Sequence, residues 1–319
     1  MAVNTKIIKR RMKSTRNMRK ITKAMEMVSA AKMRRAVEAT LNTRTYSKMA
    51  WDLLVNLSKA ERVSIPLLEV RPVQKLLIIL ITSNRGLCGS FNSNIIRKTI
   101  AQMKNPRNIG RQRVEGRIIE APGEIAVDVI GIGKKGAEFA KKMGYNLIGA
   151  YTEFSDTPRI DDVAPISRMI ISAYENRQYD KVVVAYTDYK SAITQTAKLR
   201  QVLPISEQDL EKMINDLGDD THGRDNTLLP TESMDEYLFE PNKTEVLKII
   251  IPRLAETQIY QALLESMASE QSARMMAMRN ASDAARDMLR ELNLNFNKAR
   301  QAGITQEIAE IAGGAAALG

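Results

Sequence analysis

IIKRRMKSTRNMRKITKAMEMVSAAKM, the sequence of residues 7–33, contains no helix breaker and carries apolar or small side chains mostly at steps of three and four. It lies within residues 1–65, which contain neither glycine nor proline. A helix of about 50 residues would extend roughly 75 Å at 1.5 Å per residue, a length that is typical of a coiled coil. The predicted stripe comprises Ile8, Met12, Thr15, Met18, Ile21, Met25, Val28 and Met33.

A second run without glycine or proline covers residues 253–302 and repeats this periodicity. It is rich in alanine, which lets two helix backbones approach closely. We expect a kink or break at Pro252, because proline cannot donate a backbone hydrogen bond. The two runs therefore predict long helices on either side of a compact middle. The second predicted stripe comprises Ile259, Leu263, Met267, Met275, Met278, Ala281, Ala285, Met288 and Leu292.

The middle of the chain alternates between strand and helix patterns. KLLIILIT, residues 75–82, is a continuous apolar run, as expected for a strand covered on both faces. Further strands are predicted at 125–132, 146–151, 181–187 and, on an edge, 192–203. Helices are predicted at 92–103, 134–143 and 162–177. The predicted fold class is α/β, with a Rossmann-like doubly wound domain and a coiled coil of the two terminal helices.

Two segments of the middle show no periodicity. Residues 206–240 hold 11 acidic residues against Lys212 and Arg224. We predict a solvated, mobile acidic loop there, because such a composition buries little apolar surface. Residues 104–123 are predicted to form a second long surface loop.

The positive charge is concentrated at one end. The net charge is +11 at pH 7, yet residues 1–48 alone hold 14 Lys and Arg against Glu26 and Glu38. This segment should meet something acidic, and nucleic acid, anionic lipid and an acidic protein surface are all candidates. Nucleic-acid modules usually add aromatic side chains for stacking, and residues 1–45 contain none. A basic coiled-coil scaffold for nucleic acid therefore stays the weaker hypothesis.

Composition argues against several other classes of protein. One Cys and one His allow no internal disulfide framework and no His/Cys zinc cluster. Apolar runs stay shorter than 18 residues, so no membrane span is predicted. The first residues lack the apolar core and cleavage site of an export signal.

Several separated motifs closely resemble those of the gamma subunits of F-type ATP synthases, from the first residues to the last. Their sequences are KITKAMEMVSAAKM at 20–33, SNRGLCG at 83–89, ETQIYQALLES at 256–266, RMMAMRNA at 274–281 and NFNKARQAGITQEIAEIA at 295–312.

The resemblance implies a central rotor shaft with no catalytic site, cofactor or metal of its own. In that family the terminal helices form an antiparallel coiled coil inside a catalytic ring of alpha and beta subunits. The Rossmann-like domain lies against the epsilon subunit and the membrane ring of c subunits. The implied location is peripheral, on the cytoplasmic side of the cell inner membrane. The implied division is a shaft helix at 1–65, an α/β domain at 73–205, the acidic loop at 206–240 and a second shaft helix at 243–312.

The resemblance also implies which residues touch the ring. Met25 would lie beside an acidic loop of a beta subunit, with Arg274 and Gln301 nearby across the coil. The turn that follows the first strand would meet the same kind of loop from below. For any one of these residues, a packing role alone is an open alternative. The implied contact residues are Met25, Arg85, Cys88, Arg274, Arg300, Gln301, Thr305 and Glu307.

A competing function comes from Gly131-Ile132-Gly133-Lys134-Lys135-Gly136, which has the GxGxxG spacing of a dinucleotide-binding turn. It follows a strand, opens a helix and precedes Glu153 by about 20 residues, where a ribose-binding acid would lie. The motif follows the second strand rather than the first, and no later motif supplies catalytic groups. The alternative to a rotor is thus a nucleotide- or dinucleotide-binding α/β protein, and a tight structural turn explains the same glycines.

Overall fold

The computed structural model describes residues 5–58, 65–104, 109–114, 117–119, 123–205 and 242–318, which fall into two compact units. The first unit combines Met1–Ala31 with Arg274–Gly319, and the second unit is Lys32–Ala273. The acidic loop predicted at 206–240 lies outside the described residues. The helices are α1 (Thr5–Ser58), α2 (Phe91–Met103), α3 (Lys134–Lys142), α4 (Ile160–Glu175) and α5 (Lys243–Leu318), with a 3-10 turn at Pro66–Leu68.

The second unit is built on a five-stranded sheet. Four strands are parallel and the last is antiparallel, in the order β5-β4-β1-β6-β7. All five strands were predicted, including the edge position of the last, and the doubly wound sheet is confirmed. The strands are β1 (Lys75–Ile81), β4 (Ala126–Ile132), β5 (Asn146–Tyr151), β6 (Lys181–Tyr189) and β7 (Gln195–Leu203), while β2 (Gln112–Val114) and β3 (Arg117–Ile119) form a separate pair.

Strand β1 lies at the centre of the sheet and is buried on both faces. Its side chains alternate, so Leu77 and Ile79 enter one core cluster and Leu76 and Ile78 enter the other. The first cluster lies under α4 and the early part of α5, and the second lies under α2 and α3. The continuous apolar run of β1 is therefore explained by helices on both sides of the sheet.

Of the kink or break predicted at Pro252, the break is wrong, since α5 continues through this residue. Proline inside a helix removes one backbone hydrogen bond and costs about 3 kcal/mol. Its neighbours Ile251 and Leu254 are buried in the first core cluster. Tertiary packing of this helix face therefore offsets the local preference.

The predicted loop at 104–123 contains regular structure. Strands β2 and β3 pair antiparallel there, with Gln112 opposite Ile119 and Val114 opposite Arg117. The strands are only three residues long, too short for a period-2 pattern to stand out in the sequence.

The first unit is a pair of antiparallel helices, formed by the start of α1 and the later part of α5. The Thr15 hydroxyl lies 3.7 Å from the Met288 sulfur, which fixes their register. The chain leaves this unit after Ala31 and re-enters it at Arg274, so the two paired segments run in opposite directions. The terminal coiled coil predicted from the two stripes is confirmed.

Only part of the predicted stripes forms the seam of this pair, since Ile8, Met278 and Ala285 are buried as predicted. Met18, Ile21, Val28 and Met288 are exposed, whereas the buried residues are mostly small or polar. They recur at intervals of seven, the repeat of a coiled coil. Small side chains occupy four of the seven buried seam positions, while several large apolar side chains lie outside the seam. The buried residues of the seam are Ile8, Thr22 and Ser29 on α1, and Met278, Ser282, Ala285 and Leu289 on α5.

Candidate functional site

The carboxyl ends of β1 and β6 mark the point where the strand order of the sheet reverses, and α5 packs against it. In doubly wound sheets this crevice is where ligands bind. Here the Ser266 hydroxyl accepts the Thr187 backbone N–H at 3.3 Å, and the Ser269 hydroxyl donates to the Thr187 carbonyl at 3.1 Å. Both serines are buried. The chain therefore fills its own crevice with a helix.

The glycines of the GxGxxG turn fit between β1, β4 and α3. Gly133 has φ +95°, and a Cβ there would lie 2.1 Å from the Thr82 carbonyl oxygen. A Cβ at Gly136 would lie 2.9 Å from the Thr82 hydroxyl, and one at Gly131 would lie 3.1 Å from Ala137. Each glycine is thus required by close packing of the chain on itself.

The first backbone N–H groups of α3 are satisfied within the chain. In dinucleotide-binding proteins such groups hold the pyrophosphate. Here three successive donors already have acceptors from the segment after β1, which weighs against the alternative function. The N–H groups of Lys134, Lys135 and Gly136 donate to Asn84 Oδ1 at 2.9 Å, the Ser83 carbonyl at 3.2 Å and Thr82 Oγ1 at 2.7 Å.

We expect NADH and NADPH to leave the melting temperature of the purified chain unchanged. A ligand at 100 times its dissociation constant would stabilise the folded state by about 2.7 kcal/mol, which is readily measured. Differential scanning fluorimetry with millimolar dinucleotide checks this. A saturable rise in melting temperature, lost on replacing Asn84 and Thr82, would contradict the structural interpretation of the turn.

The segment from Ser83 to Ser90, called here the β1 turn, is held by a compact polar network. Asn92 donates to the Ser83 hydroxyl at 2.7 Å and to the Cys88 sulfur at 3.2 Å. The Ser83 hydroxyl donates to the Arg85 carbonyl at 2.6 Å. Cys88 is only 3% exposed, so its thiol does not lie at the surface of the chain. A role for Cys88 in contact would therefore be indirect, through the shape of the β1 turn.

The exposed residues of the β1 turn include a cation, Arg85, and a large apolar side chain, Leu87. Leu87 is 64% exposed and has φ +64°, a conformation that is unusual for a branched side chain. Strain of this kind persists only where the surroundings enforce it, and it concentrates at functional sites. The β1 turn thus presents an apolar tip beside a cation.

The loop between β5 and α4, residues 152–159, joins the β1 turn to both long helices. Asn84 Nδ2 donates to the Thr152 carbonyl at 2.8 Å, and the Lys32 ammonium of α1 lies 2.7 Å from Asp156. The Tyr260 hydroxyl of α5 donates to the Pro158 carbonyl at 2.9 Å. Burial raises the pKa of Tyr260 above its ordinary value, so this donor stays protonated. The loop therefore links the sheet edge to the helices.

Charge near α3 is paired locally. The hydrogen bond from Lys135 to Glu138, at 3.0 Å, holds the pKa of that carboxyl below its ordinary value.

Among the described residues, no group of three or more His, Cys, Asp or Glu is placed to hold a metal ion. Within the same residues, no helix is long and apolar enough to cross a membrane.

The predicted contact residues of the first unit differ in burial. Met25 is half-buried and Arg274 is buried, while the four residues near the end of α5 are exposed. Gln301 does not lie near Met25 across the coil, contrary to expectation. From the contact of Thr15 with Met288, the two residues lie about 35 Å apart along the pair at 1.5 Å per residue. The four exposed residues are Arg300, Gln301, Thr305 and Glu307.

The end of α5 is a helix without a neighbour in the described chain. Residues 301–315, called here the α5 tip, are exposed on every side. Ile304, Ile308 and Ile311 are between 49% and 73% exposed and lie on one face at steps of four and three. An isolated helix of this length is marginal in water. An apolar stripe on such a helix indicates a partner that covers it.

Sequence reasoning did not single out Leu87 or the isoleucines of the α5 tip, which the structure shows to be exposed apolar residues. The isoleucines could have been found from their spacing beyond the last predicted stripe residue. Leu87 could have been flagged as an apolar residue between glycines in a turn. Its left-handed conformation, however, depends on the network around Ser83.

Comparison with known protein families identifies relatives over nearly the whole chain. The family model described as ATP synthase matches residues 4–318. The ATP synthase gamma chain of Herpetosiphon aurantiacus is 41% identical over 320 residues, which is 98% of this chain and 97% of that protein. The ATP synthase gamma chain of Chloroflexus aurantiacus is 38% identical over 315 residues, again 98% and 97%.

Solved structures share the fold. One chain of the Euglena gracilis mitochondrial ATP synthase, in an OSCP/F1/c-ring structure in rotational state 3, matches with a TM-score of 0.65 at 20% identity. The match covers 98% of this chain and 94% of that one. A chain of the Tetrahymena thermophila mitochondrial ATP synthase central stalk and c-ring matches with a TM-score of 0.55 at 24% identity, covering 82% and 99%.

Proposed function

Because this chain belongs to the gamma-chain family of ATP synthases, we propose that it is the rotor of the central stalk. It couples ion flow through a membrane ring of c subunits to ATP synthesis or hydrolysis in a ring of alpha and beta subunits. It has no catalytic site of its own, binds the epsilon subunit and no nucleic acid, and works at the cytoplasmic side of the inner membrane. Its parts are shaft helices at 1–65 and 243–312, a domain at 73–205 and an acidic loop at 206–240.

The α5 tip is the observation that carries this proposal. A helix that is exposed on every side and carries an apolar stripe is expected to be covered by a partner. A hollow ring of subunits would surround the helix and cover the stripe. The stripe lies on one side only, so the tip presents a different face to each surrounding subunit. Arg300, Gln301, Thr305 and Glu307 add polar side chains around the same segment.

Coupling then follows from differential contact. Each angle of the shaft favours one conformation of the catalytic subunit that it touches, and site occupancy in turn favours one shaft angle. Met25 and the exposed Met18 and Met27 suit changing neighbours, because thioether side chains adapt their shape.

Replacing Ile304, Ile308 and Ile311 with serine should weaken assembly with the alpha-beta ring by at least tenfold. Each isoleucine is worth about 1.5–3 kcal/mol when fully buried, and the changes leave no cavity in the free chain because all three are exposed. Reconstitution of the ring with the chain, followed by size-exclusion chromatography and ATPase assay, measures the effect. A matched triple change to serine at Met143, Ile148 and Ile249, exposed in the second unit, tests whether loss of apolar surface alone is responsible.

Equal behaviour of the two triple variants would remove the α5 tip from the ring contact. A wild-type chain that fails to assemble at one copy per three alpha and three beta subunits would overturn the rotor proposal itself.

Reversing Arg10, Arg11 and Arg16 to glutamate should slow assembly, most clearly at low salt. All three are exposed on α1, and their charge would steer the chain toward an acidic loop of a beta subunit. Salt screens such attraction beyond about 8–10 Å at physiological ionic strength. Stopped-flow association at several salt concentrations measures it, with Arg168 and Arg177 of the second unit and Arg290 reversed as a control of equal charge. Rates that depend on neither the reversal nor the salt would exclude electrostatic steering.

A further inference from the structure

The tight connection between β6 and β7, residues 190–194, is fixed by its own side chains. The Ser191 hydroxyl accepts the backbone N–H groups of Ile193 at 3.3 Å and Thr194 at 3.0 Å. The Ser191 N–H donates to the Thr194 carbonyl at 3.0 Å. This segment, called here the β6 turn, therefore has a defined shape before any partner binds.

Helix α5 anchors the β6 turn. The Ser272 hydroxyl donates to the Ala192 carbonyl at 2.7 Å. Gln195 Nε2 donates to the same carbonyl at 3.1 Å and to the Ser272 hydroxyl at 3.3 Å. Ser272 is fully buried beneath this contact. The next residue of the turn, Ile193, is nevertheless 81% exposed. A rigid turn thus presents a large apolar side chain to solvent.

The β6 turn and the β1 turn contact consecutive residues of α5. Ser272 holds the β6 turn, and an added Cβ at Gly89 of the β1 turn would lie 3.9 Å from the Ala273 carbonyl. Successive residues of a helix point about 100° apart, so the two turns lie on adjoining sides of α5 at one level. Both turns follow strands that end at the crevice of the sheet, β1 and β6.

The two turns also carry the same chemistry. Each combines an exposed apolar tip with an exposed cation, Leu87 with Arg85 and Ile193 with Lys190. A partner that fits one turn, with apolar and acidic side chains on a protruding loop, therefore fits the other. Fixed apolar tips lose little conformational entropy on binding, which favours them as anchors.

We infer that the β6 turn is a second docking point for the alpha-beta ring, with Ile193 as its apolar anchor and Lys190 facing acidic side chains. This inference rests on the proposed function. The two turns would engage loops of neighbouring ring subunits, because they lie on different sides of one helix.

Ile193→Ser should raise the dissociation constant of the full chain for the purified alpha-beta ring about tenfold. Ile249→Ser is the matched control, since Ile249 is 67% exposed on a part of α5 away from both turns. Lys190→Glu should raise the dissociation constant at low salt and have less effect at high salt. Circular dichroism checks that the variants keep their helix content.

A second measurement reports contact directly. In a Cys88→Ser background, Ile193→Cys should react with a small maleimide several-fold more slowly after assembly, whereas Ile249→Cys should react at an unchanged rate. Unchanged affinity of Ile193→Ser together with unchanged labelling would overturn the docking role of the β6 turn while leaving the rotor proposal intact. Failure of the wild-type chain to bind the ring would instead overturn the proposed function.

Discussion

A disulfide between the β1 turn and the alpha-beta ring should abolish ATP turnover, and reductant should restore it. Native Cys88 is buried, so the thiol is better placed at the exposed tip, as Leu87→Cys with Cys88→Ser. A disulfide needs Cα atoms within about 7 Å, so its formation is itself evidence of contact. We expect ATPase activity to fall in proportion to cross-link yield, measured on non-reducing gels, because the bond would tie rotor to ring.

Two controls belong with this experiment. The chain with only Cys88 should cross-link poorly to the same ring cysteine, since its thiol is 3% exposed. Leu87→Cys without a ring cysteine should keep full activity under oxidation. Complete cross-linking with undiminished turnover would show that the chain need not move against the ring.

Gly133→Ala should destabilise the second unit by about 3 kcal/mol or more, the largest effect that we expect from a single methyl group. Its φ of +95° disfavours any side chain, and the added Cβ would lie 2.1 Å from the Thr82 carbonyl oxygen. Backbone of β1 or of the turn would have to move. Urea unfolding followed by circular dichroism measures the loss.

Alanine substitutions at two other glycines separate the cost of the backbone conformation from the cost of the steric clash. Gly144 has φ +74° with open space around it, so Gly144→Ala should cost about 1–2 kcal/mol from conformation alone. Gly86 has open space and no positive φ, so Gly86→Ala should be nearly neutral. A Gly133→Ala variant as stable as Gly144→Ala would rule out the close approach of the turn to Thr82.

The centre of the sheet could be predicted from sequence because the parallel strands β1 and β6 are buried on both faces and read as apolar runs. Strand β1 is the clearest case, since Leu76 and Leu77 enter opposite core clusters. The continuation of α5 through Pro252 could not be predicted, because it depends on packing of Ile251 and Leu254 that no local pattern records. The pair β2 and β3 was too short to leave a signal.

The seam of the coiled coil was only half predictable. Its existence followed from two long runs without helix breakers, but of its buried members only Ile8, Met278 and Ala285 stood in the predicted stripes. The apolar scale ranks Met18 and Ile21 as core, whereas the structure buries Thr22. The Thr22 hydroxyl donates to the Arg19 carbonyl of its own helix at 3.1 Å, and this hydrogen bond reduces the free-energy cost of burying the hydroxyl. Because such a residue is polar, its burial does not show up as an apolar residue at helical spacing in the sequence.

The GxGxxG turn shows how one spacing fits two functions. Sequence alone could not tell whether the amides of α3 face a ligand or the chain. In the structure these amides donate to acceptors of Thr82, Ser83 and Asn84, about 50 residues away in sequence. Such long-range partners become visible only when the fold brings β1 beside β4.

The small residues of the seam also determine the thickness of the helix pair. Helix axes pack 8–10 Å apart depending on the side chains between them, and Thr22, Ser29, Ser282 and Ala285 favour the lower end. Leucine at those positions would bury more apolar surface, yet it would widen the cross-section by an ångström or two along much of the length. If the pair turns inside a ring of subunits, as proposed above, its diameter limits the space around it, and a slender, less apolar seam would leave room for rotation.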